Sequence, residues 1–440
     1  MSFKELMQKI FPLPAKSSKK HFKKLEVSLN DITEADKKAY RALDEFKNKY
    51  SNDIDEITDD IETISKNILK TESDIQRFSN SLKEIYEETS KGASVSAENS
   101  QELKEISKSI ADRFGKLYYH INQIESNMIC DTYYVHKFEK NIIMKAFGDV
   151  KKDEDFEKKF LKLIKNLDKE SVDTLITIFN RIEKIYWAPE NVHLDLYTQE
   201  EKKKLRELKE NFTDKIMKIS RGLYYYDGFY LPANQFEDSV FYYKHGIDSL
   251  KTLDKIRGKD IIDAGGYIGD SILILSPLTD KKVYSFEAVS QSYELMQKTI
   301  ELNNIKNAVP VKKALGEKDE TMEIIIAGSS STVENRYGMD DKKREKVECI
   351  TLDEFVDEHK LDVGMIKVDI EGAEQSFLKG AKKTIREQKP TLLISIYHNL
   401  DDLMAIKPMI EEWNLGYKFR IYRPVIKKIV AETLLIAETE

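Results

Sequence analysis

From Tyr40 to Thr89, positions spaced alternately three and four residues apart form one unbroken series. It runs through Leu43, Lys47, Tyr50, Ile54, Ile57, Ile61, Ile64, Ile68, Thr71, Ile75, Phe78, Leu82 and Ile85, with charged residues between. Such a narrow stripe predicts a heptad helix that buries its seam against a partner helix. "SKGASVSAENS" interrupts it with Gly92 and small polar residues, a turn or hinge signal. A second series, Leu103, Ile106, Ile110, Phe114, Leu117, Ile121, Ile124 and Met128, carries one stutter at Ile106–Ile110–Phe114. An antiparallel hairpin and a parallel dimer both fit this pattern. From about 150 to 220 the chain stays helical in pattern without the heptad, and Pro189 marks a break.

After residue 258 short apolar runs alternate with amphipathic ones: "KDIIDAG", "DSILILSPL", "KVYSFEA", "SYELMQKTIELNN", "AVPVKKAL", "TMEIIIAG", "VGMIKVDIEG", "EQSFLKGAKKTIRE" and "KPTLLISIYH". "YKFRIYR" and "TLLIAE" then read as an edge hairpin. Repeated strand–helix units predict a parallel sheet covered by helices on both faces. Before it, "RGLYYYDGFYLPANQFEDSVFYYKHG" is dense in aromatics. A layer packed over the next core accounts for most of these rings, and stacking on a sugar is the alternative.

The expected organisation is an N-terminal segment (1–35), a coiled coil (36–130), a helical connector (131–220) and an α/β domain (221–440). Charged residues make up 34% of the 440, above the ordinary quarter, in keeping with exposed helix. A net charge of −7 argues against general nucleic-acid binding. Cys130 and Cys349 are far apart and fit neither a zinc spacing nor a disulfide framework, so a reducing, cytoplasmic setting is expected. The longest apolar run, "IIDAGGYIGDSILILSPL", contains two aspartates and does not read as a membrane span. Charges interrupt the short apolar part of the N-terminus, unlike a signal peptide. Phe3, Leu6, Met7, Ile10 and Phe11 share a helical face ahead of a lysine cluster. Packing or fraying is the plainer reading, and weak contact with an anionic membrane surface is the other.

"MIKVDIEGAEQS" crowds Lys367, Asp369, Glu371 and Glu374 together after an apolar run. Strict alternation would put Lys367, Asp369 and Glu371 on one strand face, where two carboxylates at ~7 Å repel by roughly 2 kcal/mol. That cost calls for a cation. Ligands of such sheets bind at the carboxyl ends of strands. There "IIDAGGYIGD" brings Asp263, Gly265, Gly266 and Gly269, and "VYSFEA" brings Glu287, suited to ribose hydroxyls. A dinucleotide fingerprint needs glycine where Ala264 stands, and Asp263 is a poor neighbour for a pyrophosphate. Asp263, Glu287, Asp369 and Glu371 make an acidic rim for a cationic nucleoside such as S-adenosylmethionine, although Asp263 or Glu374 alone would pass as helix caps.

"IIDAGGYIGD", "VYSFEAVSQSYELMQKTIELNN", "KKALGE", "ITLDEF", "IKVDIEGAEQSFLKGAKKTI" and "KPTLLISIYHNLDDL" resemble the FkbM-type S-adenosylmethionine-dependent methyltransferases, over roughly residues 255 to 436. "GFYLPANQFEDSVFYYKHG" resembles the lead-in to that domain, and the coil is not covered. The resemblance implies a class I Rossmann-like domain that O-methylates hydroxyls of sugars, glycolipids or polyketide-type products. It implies Asp263, Gly265 and Gly269 in the cofactor turn, with Gly266 beside them. Glu287 would hold the ribose, Ala314 and Leu315 would lie by the adenine, and Asp369, Glu371 and His398 would face the reacting centre. Tyr267 stands where the family often has asparagine, and Ser395 where a glutamate frequently precedes the histidine.

Alignment of the two reactants supplies most of the help to methyl transfer, up to ~7–11 kcal/mol. His398 is the base by residue type and Asp369 its rival, while a purely structural histidine is the plain alternative. Lys367 is expected to neutralise the carboxylates, and no metal is implied. The acceptor would be a glycan or another hydroxyl-bearing molecule, with the coil joining copies or docking partners. The competing function is a coiled-coil scaffold with an inactive Rossmann-like domain.

Overall fold

The computed structural model describes residues 132–135, 140–141, 143–144, 155–190, 192–326 and 344–439. The segments expected as N-terminal helix and coiled coil, 1–35 and 36–130, lie outside them. Ser126–Glu440 is one compact unit. Its centre is a seven-stranded sheet. The strands are β1 (Asp260–Ala264), β2 (Val283–Phe286), β3 (Ala308–Val311), β4 (Val363–Val368), β5 (Thr391–Ser395), β6 (Lys418–Tyr422) and β7 (Leu434–Glu438). Their spatial order is β6-β7-β5-β4-β1-β2-β3. β3, β2, β1, β4 and β5 are parallel neighbours, whereas β7 runs antiparallel to both β5 and β6. Strand order reverses between β1 and β4, the switch point where such sheets open a crevice.

The central strands are apolar because both faces are covered. Ile262, Ile366, Leu392, Ile394 and Leu435 enter one core; Ile261, Met365, Leu393 and Ile436 enter the other. Over the first core lie the helices Phe156–Ile164 and Lys169–Trp187, contributing Leu163, Leu175, Ile178 and Ile185. Asp168 caps the longer helix by accepting from Ser171 N at 2.7 Å, and Ser171 Oγ in turn accepts from Ile421 N of β6 at 2.9 Å. The expected connector thus shares the sheet's core, because an amphipathic helix is stable only once its stripe is covered.

The aromatic lead-in covers the second core. Met217–Ser220, Leu223–Tyr226 and Phe229–Leu231 form an antiparallel sheet that crosses the expected boundary at 220/221. Tyr224, Tyr226, Phe229, Tyr242 and Tyr243 pack into that core with Phe236 and Phe241. Tyr225 and Tyr230 pair with each other at 5.1 Å, and Tyr230 is exposed.

Three local expectations change. "AVPVKKAL" divides between β3 and Ala314–Leu315, which pairs with Arg344–Ile350 in a second sheet. "EQSFLKGAKKTIRE" breaks into Glu374–Gly380 and Lys382–Gln388. β4 ends at Val368, so Asp369 and Glu371 do not share a strand face with Lys367. Among the described residues no helix is long and apolar enough to cross a membrane.

Candidate active site at the switch point

Parallel register sets Asp263 of β1 beside Lys367 of β4 on one side and Ser285 of β2 on the other. The Asp263 carboxylate is fully buried. Oδ2 accepts from Ser271 Oγ at 2.7 Å and Ser285 Oγ at 2.6 Å, while Lys367 Nζ lies 3.1 Å from Oδ1. Lys367 also donates to Gly265 O at 2.8 Å. Burial works against the lysine's charge, but Asp263, Asp369 and Asp270 hold its pKa above the ordinary value. Asp263 therefore does not stand on the expected acidic rim. Its charge is spent inside, bracing the turn.

That turn is made by close backbone approach. Gly265 (φ +84°) and Gly266 both donate to Phe286 O, and Asp369 N donates to Ala264 O. A Cβ on Gly265 would fall 1.8 Å from Asp369 O, and one on Gly266 would fall 2.0 Å from Ser285 Oγ. The glycines that sequence reading assigned to ligand approach thus let β1, β2 and β4 converge. Tyr267 adopts φ +42°, a left-handed conformation uncommon for a tyrosine.

Glu287 follows β2. Its Oε1 accepts from Val289 N at 2.7 Å, the amides of Tyr267 and Ala288 also bond it, and burial pushes its pKa up to about 7. Ala314 packs with Ala288 and Val289 immediately beyond it. Leu315 is buried in the main core, so its side chain is not at the surface of the crevice. Asp270, after Gly269, is buried and raised to about 7 by that burial.

Beyond β4 the motif turns sharply. Glu371 (φ +57°) and Gly372 (φ +93°) are left-handed, and the helix Glu374–Gly380 begins at once. Glu374, fully buried, reaches back to accept from Ile370 N at 3.0 Å. His398, three residues past β5, is 5% exposed. Its Nε2 lies 3.3 Å from Asp369 Oδ1 and 3.6 Å from Glu371 Oε2, and its Nδ1 lies 3.1 Å from Glu374 Oε1. Burial alone would lower the imidazole's pKa; Glu374, Glu371 and Asp369 instead drive it up to about 10. His398 holds Glu374's carboxyl below its ordinary range despite burial. Burial lifts Glu371 to about 7, with Asp369 and Glu374 adding to it and His398 opposing. The Asp369 and Glu371 side chains keep 20% and 19% exposure, so they form the outer edge of the cluster.

The structure thus brings Asp369, Glu371 and His398 together and adds residues that sequence reading left aside. Glu374 stood in the motif but was read as a helix cap. Tyr397 donates to Asp369 Oδ1 at 3.4 Å, and only its place next to His398 signalled it. Glu432 (φ +64°), raised to about 7 by burial and then by Asp369, comes from the loop before β7. His245, from the lead-in, is lowered to about 4 by burial and then by Lys367. Ser395, at the end of β5, buries an Oγ without a hydrogen bond.

Residues 263–419 match the family described as methyltransferase FkbM domain. No curated protein matches the chain significantly in sequence. Among solved structures, methyltransferase FkbM from Methylobacillus flagellatus KT is 20% identical over 64% of this chain and 58% of that one, with a TM-score of 0.42. This chain therefore spans less than two thirds of that protein. SMU.1697c, a putative methyltransferase from Streptococcus mutans in complex with SAH, is 15% identical over 42% of this chain and 93% of its own, with a TM-score of 0.28. An rRNA methylase from Streptococcus thermophilus is 14% identical over 47% of this chain and all of its own, also with a TM-score of 0.28.

Proposed function

Because residues 263–419 belong to the methyltransferase FkbM domain family, we propose that the chain transfers a methyl group from S-adenosylmethionine to a hydroxyl of a sugar or glycan-type acceptor. The observation that carries this reading is the set of carboxylates at successive strand ends. Glu287 follows β2 and Asp369 and Glu371 follow β4, the two strands flanking β1 at the switch point, and Lys367 is already committed to Asp263.

The donor set fits the cofactor. Glu287, pinned by backbone amides, would accept from the ribose hydroxyls, and Ala314 would lie by the adenine. When bound, the cofactor supplies an electrophilic methyl on a positively charged sulfur, which the acidic edge favours over a neutral or anionic ligand. Asp369 and Glu371 orient the acceptor hydroxyl and receive its proton, as the outermost members of the cluster. His398, held as an imidazolium, keeps the carboxylates together and is not free to take a proton. This moves the base from His398, favoured by residue type, to the carboxylates around it. The heptad of residues 40–89 is proposed to join copies of the enzyme.

Calorimetric titration of S-adenosylhomocysteine into the full chain tests the reading, followed by transfer of labelled methyl to hydroxylated acceptors. Saturable binding that weakens in Glu287→Ala supports it. Absence of binding to the native chain leaves the coiled-coil scaffold as the better account.

A further inference from the structure

We propose that Asp369, Glu374 and His398 bind one divalent first-row metal ion that holds the acceptor's oxygens. One ligand atom from each of the three lies within 4.8 Å of the others. A metal–ligand distance of about 2.1 Å sets neighbouring octahedral ligands ~3 Å apart and opposite ones ~4.2 Å apart, so only slight contraction is needed. Glu374 is fully buried and His398 nearly so.

Part of their hydrogen-bonding capacity is left over. Glu374 Oε1 is used by Ile370 N, but Oε2 has no hydrogen bond. Neither ring nitrogen of His398 meets hydrogen-bond geometry, although carboxylates surround it. Each buried polar group left unmade costs about 1–3 kcal/mol. An ion held by Glu374 and one ring nitrogen of His398 would satisfy those two, leaving the other ring N–H to donate to a carboxylate.

Charge points the same way. Asp369, Glu371 and Glu374 face a single imidazole. Lys367 is engaged by Asp263 and Gly265, and Lys428, which acts on Glu371, also pairs with Glu237 at 3.9 Å. Binding a divalent ion would displace the proton that makes His398 an imidazolium in the ion-free cluster, and would leave the cluster less negative than that proton does. One imidazole with carboxylates suits Mn²⁺, Fe²⁺ or Zn²⁺ better than Ca²⁺. Three protein ligands leave positions open, and the exposed edges of Asp369 and Glu371 set the side from which an acceptor enters. Glu371, outside the ligand set, stands beside the bound hydroxyl. The acceptor's role rests on the function proposed above; the ion's binding does not.

The test uses the full chain, stripped with a chelator and titrated with Mn²⁺ while free Mn²⁺ is followed by electron paramagnetic resonance, with Zn²⁺ as competitor. One Zn²⁺-displaceable ion per chain is expected, with affinity reduced at least about tenfold in Glu374→Gln and His398→Gln. Should the buried variants fail to fold by circular dichroism, the partly exposed Asp369→Asn carries the comparison. A distant carboxylate variant, Glu348→Gln, should bind as the native chain does. Failure of both ions to bind at about 1 mM, or equal binding in Asp369→Asn and His398→Gln, overturns the site. Binding of the ion without S-adenosylhomocysteine breaks the methyltransferase reading alone; the reverse breaks only the metal site.

Discussion

Lys367 lies directly beside Asp263 in the parallel register of β4 and β1, with Nζ 3.1 Å from Oδ1 and both side chains buried. The lysine in the carboxylate-rich motif therefore answers an acid on another strand. Removing one member of a buried pair typically costs about 3–5 kcal/mol, because the other charge is stranded. Lys367→Met should lose that much in urea unfolding, and adding Asp263→Asn should restore part of it. A loss below about 1 kcal/mol would show the pair to be incidental to the fold.

Gly265 joins a left-handed backbone to a close approach, with a Cβ only 1.8 Å from Asp369 O. Gly265→Ala should destabilise by about 2–5 kcal/mol, from left-handed strain of ~1–2 and overpacking of ~1–3. Gly258, with nothing within 4 Å of an added Cβ, is the control, and alanine there should be neutral or slightly stabilising by thermal melting. Equal melting shifts at both positions would contradict the crowding seen at the turn.

Asp270 is buried, with its pKa raised from 3.8 to about 7. The folded state then holds a proton that the unfolded state has released, so this residue makes stability fall as pH rises from about 4 to about 7. Asp270→Asn should remove that dependence and gain most in melting temperature above neutrality. A gain as large at acid pH as at alkaline pH would rule out this origin.

Glu287, raised to about 7, gives the cofactor proposal a pH signature. Its charged form is the better acceptor for ribose hydroxyls, so affinity for S-adenosylhomocysteine should climb between about pH 6 and pH 8. Glu287→Gln should flatten that rise and weaken binding by roughly tenfold or more at alkaline pH, as expected for lost charged hydrogen bonds. An unchanged profile in the variant would place the ribose elsewhere.

How much of this was readable follows from the range of each interaction. Strands such as "TLLIS" announce themselves because both faces are buried. The motif around Asp369 was visible as composition, but alternation misplaced Glu371, since nothing before Gly372 marks the left-handed turn. Glu432 and His245 arrive from distant loops and carry no local signal. Nor does the stripe of Lys169–Trp187 say that its partner is this sheet and not another helix. Asp263 is legible as a strand-end carboxylate; that it turns inward is not, because its neighbours Lys367 and Ser285 depend on strand order.

Strand order also sets a timetable. β7 fits between β5 and β6, so the sheet is completed from the inside by the last strand described. While the chain from Ser395 to Leu434 is being synthesised, roughly 2–8 s at 5–20 residues per second, the Leu392–Ile394 edge has no neighbour on that side. An unpaired apolar edge is a template for other chains. Recovery of soluble protein should therefore depend on how quickly this late stretch emerges, a property of the nascent chain that the finished fold conceals.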